Sequence, residues 1–180
     1  MTMEREEYAV VLDYLPYGYP LEGKRMPIAQ AIGATGLTLL QLVPRRGEAL
    51  ELKEKVYIGN GKRDKIYYIL GKLTGDKLTE TAKQQLNDYV KEVIKEQEAR
   101  FVEFFNKSEA INTRLHQLEL LPGLGKKHTQ EILAQRKEKL FESFDEIKSR
   151  IPTLPHPEKT VEKRIIDELT GDERHKLFVS

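Results

Sequence analysis

Cysteine is absent from the 180-residue chain. That excludes disulfides, thiolate zinc sites, iron–sulfur clusters and a cysteine nucleophile together. No apolar run approaches the roughly 18 residues that a membrane-spanning helix needs. The first residues, MTMEREEYAV, are acidic and polar and do not read as a secretory signal. A net charge of one sign is also missing. Lys plus Arg number 30 and Asp plus Glu 29, for a formal charge of +1. A globally basic nucleic-acid binder is therefore excluded, whereas a local basic patch is not. A soluble cytoplasmic protein without membrane contact is expected, and a monomer.

What is present is 39% hydrophobic and 33% charged, enough apolar residues for a modest core in one large or two small domains. The chain changes character twice. Residues 8–71 are strand-like: YAVVLDYL, GLTLLQLV, VYIG and KIYYILG are rich in β-branched and aromatic residues and separated by Gly, Pro and charged turns. PIAQAIG (27–33) is a weaker fifth strand. Five short strands in so little chain imply a small barrel or a strongly curved sheet. From 79 to 105 the period becomes helical, with apolar residues at Ala82, Leu86, Val90, Val93, Ile94, Phe101, Phe104 and Phe105 and Thr79 as N-cap. One unbroken helix there would be about 40 Å long and is read as a strut. Residues 108–171 read as short helices. Ile111, Leu115 and Leu118 stripe the first, which ends at Pro122. The second runs from about Lys126 to Lys139, the third starts at a Ser143–Glu146 capping box, and the fourth covers about 158–169.

LPGLGKKHTQEIL (121–133) carries the most chemistry. Pro122 ends a helix. Gly123 and Gly125 permit positive φ and an unobstructed backbone. Leu124 points inward, and Lys126 and Lys127 open a helix whose free N–H groups form a phosphate site. The pattern resembles the helix-hairpin-helix motif of DNA- and RNA-handling proteins, with Leu121, Pro122, Gly123, Leu124, Gly125 and Ile132 matching and Thr129 standing where alanine is usual. The resemblance implies that the backbone N–H groups of Gly123, Leu124 and Gly125 hold a phosphate, and that a monovalent cation can sit on hairpin carbonyls. A plain turn between two helices is the alternative. IPTLP (151–155) aligns on LPGLG as a degenerate second copy.

The stretches GLTLLQLVP, VYIGNGKRDKI, EARFVEFFN, RLHQLELLPGLGKK and FESFDEIKSRI, in this order over residues 8–178, resemble the archaeal domain-of-unknown-function family 655. The resemblance implies an OB-like barrel followed by a helix-hairpin-helix unit, nucleic-acid binding without catalysis, and, by gene association alone, ribosomal RNA or ribosome-assembly components as partners.

Two further segments add candidates. Tyr14, Tyr17 and Tyr19 lie near Lys24 and Arg25, the pairing of stacking rings and cations that single-stranded nucleic acid uses, with turn packing at the barrel mouth as the alternative. Asn60-Gly61 reads as a hairpin turn crowned by Lys62, Arg63 and Lys65. Arg114 is placed at the rim of the helix entering the bend, and His116 is read as structural. The four histidines show no metal-ligand spacing, so side-chain metal ligation is not expected. Lys127 and Asp145, 18 residues apart, match the Lys/Asp spacing of helix-hairpin-helix glycosylases, but Asp145 lies in a capping box and the strand-rich zone upstream offers no helical base pocket.

The fold class expected is therefore α+β: an OB-like barrel (1–76), a connecting helix (77–107) and an all-α tandem helix-hairpin-helix domain (108–180). The function expected is non-catalytic nucleic-acid binding, RNA ahead of DNA. A structure-specific DNA-repair binder and a protein–protein adaptor are the alternatives. No cofactor is expected beyond the monovalent cation.

Overall fold

A computed structural model of the chain describes residues 6–20 and 25–180. It is mixed α+β and falls into two compact units, Met1–Asp88 with Glu168–Ser180, and Tyr89–Asp167. The divisions fall inside helices, not near 76 and 107, and the last thirteen residues group with the strands.

The first unit is a curled, five-stranded, wholly antiparallel sheet in the order β4-β1-β2-β3-β5. Its strands are β1 (Tyr8–Leu15), β2 (Ile28–Gly33), β3 (Leu39–Pro44), β4 (Lys55–Tyr57) and β5 (Ile66–Lys72). The strand read as weakest is the central one. Every residue of β2 is buried, because it has a paired neighbour on each side. Ala29 and Ala31 supply little β propensity but fit the core with Val11, Leu40, Leu42, Val56 and Ile66. Curl comes from register shifts at Val11/Asp13 in β1 and at two places in the β3–β5 pair, since an extra residue on one strand bends it and increases its twist. Gly71, at φ +152°, lies at one of these shifts.

The Asn60-Gly61 hairpin does not form. β4 pairs with β1 and β5 with β3, so residues 58–65 join opposite edges of the sheet. The glycines serve close approach instead. The Tyr57 hydroxyl accepts from the Gly61 N–H at 2.9 Å, and a Cβ on Gly59 would lie 2.5 Å from that oxygen.

Thr79 caps the first helix as expected, its hydroxyl accepting from the Ala82 N–H at 3.0 Å and donating to Asp13 at 2.6 Å. The long helix is interrupted. α1 covers Glu80–Glu96 and α2 Glu98–Lys107, with Gln97 at φ −113°, ψ 39° between them. No Gly or Pro marks the break, so the periodicity runs through it unchanged.

The helices α3 (Lys126–Glu138), α4 (Phe144–Arg150) and α5 (Pro157–Thr170) lie close to the expected spans. The helix expected over Ile111–Leu118 is absent. The Ile111 and Asn112 N–H groups both donate to the Leu115 carbonyl, the Asn112 side chain accepts from the Arg114 N–H at 2.8 Å, and Ala110 bridges His116. An asparagine side chain that bonds the backbone two residues on favours a turn over a helix. Only a 3-10 turn, Gln117–Leu120, enters the bend. The capping box at Ser143 forms by half. Its hydroxyl accepts from the Glu146 N–H, but the Glu146 carboxylate goes to the Glu142 N–H and to Arg150.

Candidate nucleic-acid interface

The bend at 121–125 is built from both ends. The entering 3-10 turn is capped by His116, whose Nδ1 accepts from the Leu118 N–H at 3.1 Å while Glu119 accepts from the His116 N–H at 2.8 Å. This reciprocal cap satisfies two end donors, and it is the complete capping box that Ser143 only half forms. Burial, then Arg136, holds the His116 pKa below its ordinary value, and the His116 N–H followed by Lys126 does the same for Glu119. Gly123 has φ +84° and is exposed, a conformation that favours glycine. Gly125 does not need that freedom. It is the N-cap of α3 at φ −109°, ψ −166°, in open space.

One of the three amides expected to hold phosphate is used by the chain itself, since the Leu124 N–H donates to the Leu121 carbonyl at 3.2 Å. The N–H groups of Gly123, Gly125, Lys126 and Lys127 have no partner among the described residues. Leu124 is buried, as expected. Lys126 bends back, donating to the Arg114 carbonyl at 2.7 Å and to Glu119 at 3.0 Å. The side chains of Lys127 and Arg114 are exposed and make no hydrogen bond or ion pair among the described residues. Arg114, Lys126 and Glu119 share the wall of a shallow concavity of about 230 Å³.

The degenerate copy repeats this backbone geometry. Leu154 N–H donates to the Ile151 carbonyl as Leu124 does to Leu121. The Thr160 hydroxyl and N–H return to the His156 carbonyl as those of Thr129 return to Gly125. A Cβ on Gly123 would come 3.4 Å from Pro155, so the two bends lie side by side. They differ in cation chemistry. The Lys148 ammonium donates to the Pro152 and Leu154 carbonyls. The equivalent carbonyls of Pro122 and Leu124 have no partner among the described residues. Pro155 and Pro157 remove two amides from the second bend, leaving it a poor anion cradle.

On the sheet unit, Tyr17 is 76% exposed and shares a concavity with exposed Arg25. Tyr19 is tied into structure, donating to Gln41 at 2.7 Å and accepting from fully buried Gln30, which also holds the Lys77 carbonyl and the Thr79 N–H. Lys24 lies outside the described residues. Of the three cations of the crown, Lys62, Arg63 and Lys65, only the Lys62 side chain has no partner among the described residues. Arg63 Nε donates to the Gly59 carbonyl at 2.8 Å, and Lys65 pairs with Glu54 at 2.8 Å, a hydrogen bond that raises its pKa. Arg45, Arg46 and Tyr67 carry no local sequence signal of a site, yet the fold brings them to the lining of one concavity. They belong to separate segments, so only the β3–β5 pairing joins them.

Lys127 does not line the concavity that holds Asp145. Asp145 lies there with Lys91, Lys95 and Glu162, in a volume of about 560 Å³. Among the described residues no group of three or more His, Asp or Glu could hold a metal ion, and no helix is long and apolar enough to cross a membrane.

A curled antiparallel sheet followed by a helical unit with a repeated Pro-containing bend defines an α+β protein. The chain belongs to the family described as protein of unknown function DUF655, whose model matches residues 5–180. An uncharacterised protein of Methanocaldococcus jannaschii, MJ0038, is 45% identical over 174 residues, 97% of this chain and 79% of its own length. The crystal structure of Af1531 from Archaeoglobus fulgidus, assigned to the same family, superposes with a TM-score of 0.83 at 42% identity, covering 97% of this chain and 100% of that one.

Proposed function

We propose that this protein binds nucleic acid without acting on it chemically, RNA ahead of DNA, through the bend of a helix-hairpin-helix unit preceded by an OB-like sheet. The carrying observation is the run of N–H groups at Gly123, Gly125, Lys126 and Lys127 that have no partner among the described residues, beside the free side chains of Lys127 and Arg114. Backbone donors at a helix start favour an anion, and the charges of Lys127 and Arg114 add to them. The irregular entry through a 3-10 turn makes this a divergent hairpin, with one bend open to phosphate and the other held by Lys148. Phosphate contacts position a ligand without reading its bases, so recognition falls on the shape of the RNA. The preference for RNA, with ribosomal RNA as the partner class, rests on family association and not on geometry.

Fluorescence anisotropy with a labelled hairpin RNA at several salt concentrations tests the reading. Each neutralised phosphate contributes about 0.7 to 0.9 to the log–log salt slope, so a slope near zero contradicts it. The near-neutral charge of +1 favours a protein–protein adaptor as the second reading. Partners that persist through nuclease treatment in a pull-down would support that reading instead.

A further inference from the structure

We propose a second ligand site on the sheet unit, a groove that takes single-stranded nucleic acid by stacking one base on Tyr67 and seating the flanking phosphates on Arg45 and Arg46. It rests on the nucleic-acid reading above and adds a ligand class and a place for it.

Tyr67 lies on β5, an edge strand, and is 63% exposed. An exposed tyrosine alone is ordinary; this one is held. Tyr68 packs against it edge-on, with ring centroids 5.2 Å apart at 73°, and the Tyr68 hydroxyl reaches the Met26 sulfur at 3.8 Å. Tyr67 lines a groove of about 560 Å³ with Tyr14, Met26, Arg45, Arg46 and Glu48. Two guanidinium groups against one carboxylate leave these walls net positive, which matches an anionic polymer. The arginines are prepared differently. The Arg45 N–H donates to the Lys65 carbonyl at 2.8 Å and its Nε to the Arg63 carbonyl at 2.7 Å. Its Nε is therefore fixed, while its terminal nitrogens have no partner among the described residues. Arg46 is exposed and has no side-chain partner among the described residues. The same two bonds hold the Arg63 and Lys65 backbone alongside Arg45. An exposed ring lining one groove with guanidinium groups is the arrangement that holds unstacked bases and their backbone.

Tryptophan is absent from the chain, so Tyr67→Trp installs a single reporter that retains a stacking face. Titration of the full-length variant with an unlabelled twelve-nucleotide oligouridylate should quench its emission. Anisotropy with the labelled strand should show Tyr67→Ala weakening binding roughly 5- to 150-fold, the range for one lost stack, with Tyr67→Phe near wild type. Arg46→Ala should lower the salt slope by about 0.7. Lys127→Glu separates the two readings. If it weakens binding while Tyr67→Ala and Arg46→Ala do not, the groove is overturned and the bend stands. If the Tyr67 and Arg46 variants weaken binding and Lys127→Glu does not, the groove stands and the bend fails. A wild-type protein that binds no oligonucleotide overturns both. A polyglutamate peptide that quenches the indole emission of the Tyr67→Trp variant as strongly as the oligonucleotide overturns the ligand class.

Discussion

Substituting the two glycines of the bend separately should give opposite signatures. Gly123 has φ +84°, where an L side chain costs about 1–2 kcal/mol. The added Cβ would meet Pro155 Cγ at 3.4 Å, an ordinary contact that adds little. Gly123→Ala should therefore destabilise by about 1–2 kcal/mol, and at this chain length about 2–4 °C of Tm accompanies each kcal/mol. Gly123→Asn should recover part of the loss, because asparagine tolerates the left-handed region. Gly125 is extended, with nothing within 4 Å of an added Cβ. Alanine there restricts the unfolded chain, a gain of about 0.4–1 kcal/mol. It also replaces a favoured N-cap residue by a poor one, a loss of at most about 1 kcal/mol. Gly125→Ala should leave Tm almost unchanged. If the bend holds phosphate as proposed, the added methyl group narrows the approach to the backbone, and this variant should weaken RNA binding at undiminished stability. Calorimetry paired with anisotropy reads both quantities. Equal Tm losses for the two alanine variants would refute the conformational argument, and wild-type affinity in Gly125→Ala would refute the assigned approach.

Further outcomes follow from the same geometry. His116 accepts a hydrogen bond only as neutral imidazole, and its folded pKa is lowered. Its contribution is thus complete above the unfolded value of about 6.5 and is lost as pH falls through the lowered folded one. Between pH 7.5 and 5, Tm should fall further in wild type than in His116→Asn, and parallel curves would contradict the assignment. Lys148→Met removes a charged donor from two carbonyls of the second bend and should cost about 1.5–3 kcal/mol in urea unfolding; no loss would deny its role there. Gln30→Leu strands the Lys77 carbonyl and the Thr79 N–H, at about 1–3 kcal/mol for each group left unpaired, and a stability equal to wild type would argue against that network. Lys126→Ala breaks an ion pair whose lysine is 70% exposed, so its stability change should stay within about 1 kcal/mol.

Much of the fold could be read from the sequence where period and composition agree. The five strands, the Thr79 cap and α3 to α5 follow from alternation, capping chemistry and Pro/Gly punctuation. The centrality of β2 was hidden because its alanines are weak strand formers whose burial depends on neighbours on both sides. The break at Gln97 carries no local signal. The missing helix at 111–116 had one in Asn112-Thr113, outweighed by the apolar spacing of Ile111, Leu115 and Leu118. Asn60-Gly61 failed as a hairpin because strand pairing is set by the whole sheet. In the candidate site, positive φ at Gly123 and inward Leu124 were legible. The self-bonded Leu124 amide, the retracted Lys126 and the engaged Arg63 and Lys65 were not, since each depends on a partner acceptor that residue type alone cannot locate. Lys148 and the Arg45–Arg46–Tyr67 wall emerge only from tertiary pairing.

The most direct measurement is an amide-resolved NMR titration of the protein with a hairpin RNA. Phosphate held at the bend should move the Gly123, Gly125, Lys126 and Lys127 N–H resonances, and leave Leu124, already bonded to Leu121, comparatively still. Saturable RNA binding that leaves all four of those resonances in place would contradict the phosphate cradle.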